Sequence, residues 1–261
     1  MPGSGFRPPS SPRPDFSLVV PLYNEEENVD ALVDELEEVL IPLGAFEVLA
    51  VDDGSTDRTL SLLLKRQKTF PQLRIVKLAK NSGQSTAVCA GFDQARADIV
   101  LMMDGDLQND PHDFPKILEA LKEADGVSGA RIHRKDPWIR RISSKVANFI
   151  RNKLSGDHVI DSASGIKGFR KEVLSKIPRF NGMHRFLPTL VRMVGGKVVE
   201  VPVNHRERHA GTAKYGVGNR AFRAFRDLLG VRWLKSRLIL YECELLIEDR
   251  EEAPKERDKA C

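Results

Sequence analysis

Short apolar runs alternate with longer amphipathic stretches through the first half of the chain. The segments FSLVVPL (16–22), FEVLAV (46–51), LRIVKLA (73–79) and DIVLMM (98–103) are rich in β-branched and apolar residues. They predict strands buried on both faces. Between them NVDALVDELEEVLIPL, DRTLSLLLKRQKTF and GQSTAVCAGFDQA carry helical spacing. This rhythm predicts an α/β fold with a mostly parallel central sheet flanked by crossover helices. After residue 125 the rhythm loosens. GVSGARI and KVVEVPVNHR predict strands, SGIKGFRKEVLSKI a strand turning into a helix, and WIRRISSKVANFIRNKL, MHRFLPTLVRMVG and GNRAFRAFRDLLGVRWLKSRLILYE helices. ERHAGTAKYG, with two glycines, predicts a polar loop.

The 14 residues at the start and residues 242–261 at the end predict a disordered arm and a charged tail. The 261 residues suit one medium α/β domain with appendages. The three cysteines, Cys89, Cys243 and Cys261, have no metal-ligand spacing and no paired framework. A reducing, cytoplasmic setting is the expectation. No run of about 18 uncharged apolar residues occurs, so neither a membrane span nor export is expected. The net charge of +4 hides an asymmetry. Residues 15–130 hold 10 Lys and Arg against 22 Asp and Glu, whereas residues 131–241 hold 25 against 7. An acidic half followed by a basic one suggests a cation site in the first and an anionic partner for the second.

In an open parallel sheet, ligands bind at the carboxyl ends of the strands, near the point where strand order reverses. Each of the first four predicted strands ends in polar groups: Tyr23-Asn24-Glu25, Asp52-Asp53-Gly54-Ser55-Thr56-Asp57, Lys80-Asn81-Ser82-Gly83 and Asp104-Gly105-Asp106. One crevice lined by all four is expected. DDGSTD reads equally as a strand-to-helix turn, with Gly54 supplying an unusual backbone angle and Ser55 or Thr56 capping the helix. In DGD, aspartates at i and i+2 of an extended chain place two carboxylates near one point. A hard divalent cation such as Mg2+ or Mn2+ suits that pair, and a solvated turn is the bland reading. Asp110 precedes Pro111 and predicts a cap, because proline suits the first helical position.

VVPLYNEEENV, VDDGSTDRT, NSGQSTAVCAGFDQA, MMDGDLQNDP and HRERHAGTAKYG, in this order, resemble the family 2 glycosyltransferases over about residues 16–240. More narrowly the chain is similar to the dolichol- and polyprenyl-phosphate hexose transferases, the dolichol-phosphate mannosyltransferase type among them. The resemblance implies the GT-A fold over residues 15–217, a nucleotide-sugar donor (GDP-mannose or a UDP-hexose) and a polyprenyl phosphate acceptor. It implies nucleoside contacts at Pro21, Tyr23, Glu25, Asp52, Asp53 and Asp104. It also implies a divalent metal, Mg2+ or Mn2+, on Asp104 and Asp106 with Gln108 nearby. The acceptor phosphate would meet Arg208 and Lys214, with Arg131 and Arg170 as further candidates. Where relatives carry Arg-x-x-Gly-x-Ser-Lys, Ala213 here replaces the serine. A lipid phosphate is already anionic, so catalysis rests on Asp106, Arg208 and Lys214 without a strong base, and Asp161 is a possible base or acceptor-site residue. His184, His205 and His209 read more readily as structural.

Residues 218–241 carry Phe222, Phe225, Leu229 and Trp233 at helical spacing among Arg220, Arg223, Arg226, Arg232, Lys235 and Arg237. Such a helix predicts docking on an anionic membrane surface or on a separate membrane-spanning partner, with the protein peripheral at the cytoplasmic face. A helix packed on its own domain is the competing reading. The alternatives for function are a family 2 transferase acting on a glycan or protein hydroxyl, and a catalytically silent binding module. No nucleic acid is expected, since the aromatics form one helix stripe and no evident base-stacking platform.

Overall fold

The computed structural model describes residues 13–131, 161, 164–206 and 217–239, with 217–225 described by backbone alone. The predicted helix at 138–154, the 207–216 loop and most of both termini lie outside the described residues. Strands β1 (Phe16–Leu22), β2 (Phe46–Asp52), β3 (Leu73–Lys77) and β4 (Ile99–Met102) alternate with helices α1 (Val29–Leu40), α2 (Thr59–Gln67) and α3 (Gln84–Gln94). There follow α4 (Phe114–Ala120), β5 (Gly126–Arg131), β6 (Lys167–Arg170), α5 (Lys171–Lys176), α6 (Leu187–Met193), β7 (Val198–Val203) and α7 (Val217–Lys235). Seven strands form one sheet in the order β3-β2-β1-β4-β6-β5-β7. Only β6 runs antiparallel to its neighbours. The mostly parallel α/β sheet read from the sequence is therefore present.

Two apolar layers cover the sheet, and the alternation of side chains along each strand separates them. Leu18, Val20, Val48 and Ala50 face the layer built from Leu32, Leu36 and Leu40 of α1, Leu63 of α2 and Ile117 of α4. Val19, Leu49 and Val51 face α3, α6 and α7, with Leu190, Leu228 and Val231. α1 buries Val29, Leu32, Val33, Leu36, Val39 and Leu40, the stripe its periodicity predicts. The helix gives way at Ile41 to a short 3-10 turn with Pro42, and Gly44 at φ 122° redirects the chain into β2.

Strand lengths set the position of the polar loops. β4 pairs with β1 from Phe16↔Ile99 to Val19↔Met102 and stops there, while β1 continues to Leu22. The chain after β4 consequently turns across the end of β1, close enough that a Cβ on Gly105 would lie 2.3 Å from Leu22 Cδ2. Asp110 caps the 3-10 turn Pro111–Asp113, its Oδ1 accepting from the His112 amide at 3.1 Å, as the Asp-Pro pair predicts.

At the amino ends of the strands, one buried carboxylate gathers several donors. Glu47, wholly buried, accepts from Ser17 Oγ (2.6 Å), Arg74 Nη1 (2.6 Å), and the Arg96 amide and Nε (both 2.7 Å). Burial alone would raise its pKa; the donors from Ser17, Arg96 and Arg74 outweigh burial and hold it below the ordinary value of 4.5. A depressed carboxyl stabilises the fold above its unfolded pKa and loses that contribution as pH falls through the folded one. Glu47→Gln is expected to lower stability at neutral pH by about 3 kcal/mol, the scale for removing one partner of a buried pair. Urea unfolding at pH 7 and again below pH 4.5 checks this: the gap between wild type and variant narrows in acid.

Candidate active site

A cleft of about 590 Å3 opens at the carboxyl ends of the strands, where the order reverses between β1 and β4. Pro21, Leu22, Tyr23 and Glu25 line it after β1, Asp53 after β2, and Asn81, Gly83 and Gln84 before and in α3. Asp104, Gly105, Asp106, Gln108 and Asn109 line it after β4, with Arg131, Gly165 and His205 from the far half of the sheet. The single crevice expected from the four polar strand ends is present.

The loops around the cleft are bonded to each other. Asn24, at φ 51°, donates from its amide to Ser55 Oγ (3.0 Å), and its Oδ1 accepts from the Thr56 amide (2.8 Å). Ser55 and Thr56 thus tie two loops together and do not cap α2, which Asp57 serves through the Thr59 amide at 2.9 Å. Gly54 takes φ 67°, and a Cβ there would lie 2.5 Å from the Asn81 amide nitrogen. The backbone of the third loop therefore approaches the second in a way only glycine permits. Asp53 accepts from the amides of Ser82 (2.8 Å) and Gly83 (2.9 Å), fixing the loop that opens α3.

Asp104 and Asp106 stand at the centre. Asp104 Oδ1 accepts from Gln84 Nε2 at 2.7 Å. Burial and then the charge of Asp106 raise the Asp104 pKa, against the pull of Lys167 and Arg131. Asp106 Oδ1 accepts from the Gln108 amide at 3.2 Å across Leu107, which holds φ 60°. A side-chain-bearing residue in this region is strained and is kept there by its surroundings. Two crowded carboxylates beside the amide side chains of Gln108 and Asn109 make a hard oxygen-donor set that fits Mg2+ or Mn2+. Among the described residues, the one group of three metal-capable side chains with ligand spacing is Glu35, Asp110 and His112. There the Arg206 guanidinium already pairs with Glu35 and Asp110.

The structure sorts the remaining candidates. Asp52 is wholly buried beneath the cleft, with Oδ1 accepting from the Ser55 amide at 3.2 Å, and does not line it. Arg131 reaches the cleft wall held by Asp161, through Nε at 2.6 Å and Nη2 at 3.0 Å. Asp161 therefore orients Arg131. Arg170, expected at the acceptor phosphate, does not reach the cleft. It pairs with Ile99 at the start of β4, at the end of the strands away from the cleft, and its guanidinium donates to the carbonyls of Leu121, Ala124 and Lys122. The antiparallel course of β6 is the reason: Lys167, at its start, lies at the cleft end, and Arg170 at its end lies at the other. Arg208, Lys214 and His209 lie outside the described residues. Burial lowers the His184 pKa to about 3, which favours the neutral ring, and its Nδ1 lies 2.7 Å from Ser85 Oγ.

Sequence reasoning did not assign Gln84, Asn109 or Gly165, and it read His205 as structural although it lines the cleft. Gln84 follows the glycine of NSGQS, and that adjacency to a helix start was the available signal. Gly165 gave none, because its requirement comes from packing: a Cβ there would lie 2.2 Å from Asp104 Oδ2 and 2.7 Å from Asn109 Nδ2.

Residues 17–178 match the family described as Glycosyl transferase family 2. A dodecaprenyl-phosphate galacturonate synthase of Rhizobium johnstonii is 38% identical over 224 residues, covering 83% of this chain and 66% of that protein. An undecaprenyl-phosphate 4-deoxy-4-formamido-L-arabinose transferase of Pectobacterium atrosepticum is 34% identical over 205 residues, covering 77% and 62%. The chain thus spans 62–66% of the length of these curated relatives. A mannosyltransferase from Pyrobaculum calidifontis, solved with GDP-Man and Mn2+, superposes with a TM-score of 0.61 at 22% identity over 87% of this chain and 65% of that one. A glucosyl-3-phosphoglycerate synthase from Mycobacterium tuberculosis, solved with Mn2+ and UDP, superposes at 0.62 with 17% identity over 90% and 88%. These likenesses agree with the GT-A fold.

Gly165→Ala is expected to push Asp104 aside and to weaken Mn2+ binding, measured by electron paramagnetic resonance, by about tenfold. Gly230→Ala is the control. A Cβ there meets nothing within 4 Å. It should leave Mn2+ binding unchanged and raise stability by about 0.5–1 kcal/mol, the helix propensity difference.

Proposed function

Because this chain belongs to glycosyl transferase family 2, we propose that it moves a sugar from a nucleotide sugar to a polyprenyl phosphate, with inversion at the anomeric carbon. The observation that carries the reading is the Asp104/Asp106 pair at the centre of a cleft formed where the strand order reverses. Two relatives named for transfer to dodecaprenyl and undecaprenyl phosphate support the acceptor. Their names carry galacturonate and a formamido-arabinose, which argues against restricting the donor to GDP-mannose and keeps UDP-linked sugars in the test.

In this reading, Pro21, Tyr23, Glu25 and Asp53 border the nucleoside, and Asp104 and Asp106, with Gln108 beside them, would hold a divalent cation, which would supply charge stabilisation as the diphosphate departs. An oxygen of the lipid phosphate attacks the anomeric carbon as the bond to the nucleoside diphosphate breaks on the opposite side. The nucleophile is already anionic, so positioning is the main demand on the protein. Arg131, oriented by Asp161, adds a cation at the cleft wall, and Arg208 and Lys214 are proposed to meet the acceptor phosphate. A hydroxyl acceptor would need a general base, and the bidentate pairing of Asp161 with Arg131 disfavours that alternative.

The membrane is proposed to be met by α7 and its exit. Leu228 and Val231 are buried, whereas Leu229 is 45% exposed, Trp233 64% and Ile239 81%. Arg226, Arg232, Lys235 and Arg237, interleaved with them in sequence, are exposed as well. Exposed apolar side chains interspersed with cations suit an anionic bilayer, with the protein peripheral at its cytoplasmic face. Among the described residues no helix is long and apolar enough to cross a membrane.

Labelled sugar supplied as UDP-glucose, UDP-galactose, UDP-galacturonate, UDP-N-acetylglucosamine or GDP-mannose is expected to reach a short polyprenyl phosphate from one donor. Chelator should abolish transfer, and Asp106→Ala should reduce it on the order of a hundredfold or more. Transfer that persists in chelator, or turnover on a hydroxyl acceptor without lipid, overturns the reading. In flotation, the protein is expected to rise with phosphatidylglycerol vesicles at low salt and less so at moderate salt. Recovery in the soluble fraction at both overturns direct membrane binding.

A further inference from the structure

We infer that Arg206 is a positioning residue for the Asp104/Asp106 site, its guanidinium acting as an internal cation that clamps the loop beyond Asp106 onto α1. This rests on the proposed reading of that pair as the metal site. Glu35, Asp110 and His112 offer atoms within 4.8 Å of one another, a spacing that a metal ion could use. The protein fills it with its own cation. Arg206 Nη1 lies 2.5 Å from Glu35 Oε1 and Nη2 lies 2.8 Å from Asp110 Oδ1. The two carboxylates belong to different elements, α1 and the turn before α4, and a planar fork bridges them with two N–H donors held in fixed geometry, where a lysine would offer a mobile point charge.

The backbone around Arg206 makes the same connection. Its amide donates to the Gln108 carbonyl at 2.8 Å, and His205 forms an antiparallel bridge with Asn109. One residue earlier, the Asn204 amide donates to Asp113 Oδ2 at 2.6 Å. Residues 204–206 therefore form a short ladder along 108–113. Its near end is Gln108, whose amide holds Asp106 across the strained Leu107. A strained residue persists only where its surroundings fix it: Leu107 is itself packed in the apolar core, and the 204–206 ladder with the Arg206 clamp on Asp110 holds the chain just beyond it. Without the clamp, Leu107 relaxes and Asp106 leaves its place beside Asp104.

The test uses the full chain with Mn2+ as probe, with and without UDP or GDP, read by electron paramagnetic resonance alongside thermal melting. Arg206→Ala is expected to weaken Mn2+ binding by about tenfold, the usual scale when the support of a metal ligand is lost, while the protein remains folded. Glu35→Gln should weaken it several-fold, and the double variant should be no worse than Arg206→Ala alone. Arg206→Lys should recover less than half of the lost affinity. An Arg206→Ala protein that melts cooperatively and binds Mn2+ within twofold of wild type overturns the inference. If that variant does not fold, unchanged affinity in both Glu35→Gln and Arg206→Lys overturns it instead. If wild type binds no Mn2+, or Asp106→Ala binds it as well as wild type, the metal-site reading falls and takes the inference with it.

Discussion

Two carboxylates two residues apart, at the mouth of a buried strand, are the constraint around which the cleft is organised. Burial and the charge of Asp106 both disfavour an ionised Asp104, so the surroundings have to compensate. Gln84 donates to Asp104, Lys167 and Arg131 contribute positive potential, and the Gln108 amide holds Asp106. Gly165 supplies the room, since a Cβ there would come within 2.2 Å of an Asp104 oxygen. A divalent cation completes this compensation in the proposed function.

The same cleft explains why the loops are so closely bonded. Four strand ends bring polar segments to one edge, and each segment needs partners for its backbone groups. Asn24 ties the first loop to the second, Asp53 ties the second to the third, and the ladder at 204–206 ties the fourth to the end of β7. The wall is therefore stitched across the sheet without a continuous element running through it. Strain sits inside this network, at Asn24 and Leu107, the two non-glycine residues with positive φ among those described.

Away from the cleft the molecule divides its charges by task. Glu47 takes two arginines and a serine at the amino ends of the strands, where a buried carboxylate gathers the starts of β1 and β2. The exposed cations of α7 accompany Leu229 and Trp233 on the surface, so the basic second half is not merely a counterweight to the acidic first half. Arg206 belongs to neither group, lying between them with both of its partners in the acidic half.

How much of this could be read beforehand depends on range. The strands read at 16–22 and 46–51, the stripe of α1 and the Asp110 cap were legible because each follows from neighbours a few residues apart. The Asp104/Asp106 pair was legible for the same reason, being local in the chain. The resemblance supplied the family and the order of the motifs, which no count of charges would have given. What the sequence alone could not determine was the direction of β6, which sends Arg170 to the end of the strands away from the cleft and brings Gly165 and Lys167 to the cleft. Nor could it determine the pairing of Arg131 with Asp161, or of Arg206 with Glu35 across the chain. Those contacts join residues far apart in sequence, and a charge or a glycine carries no local mark of the distant group it will meet. Only the packed sheet, by fixing which strand ends are neighbours, decides whether such a residue serves the site or the scaffold.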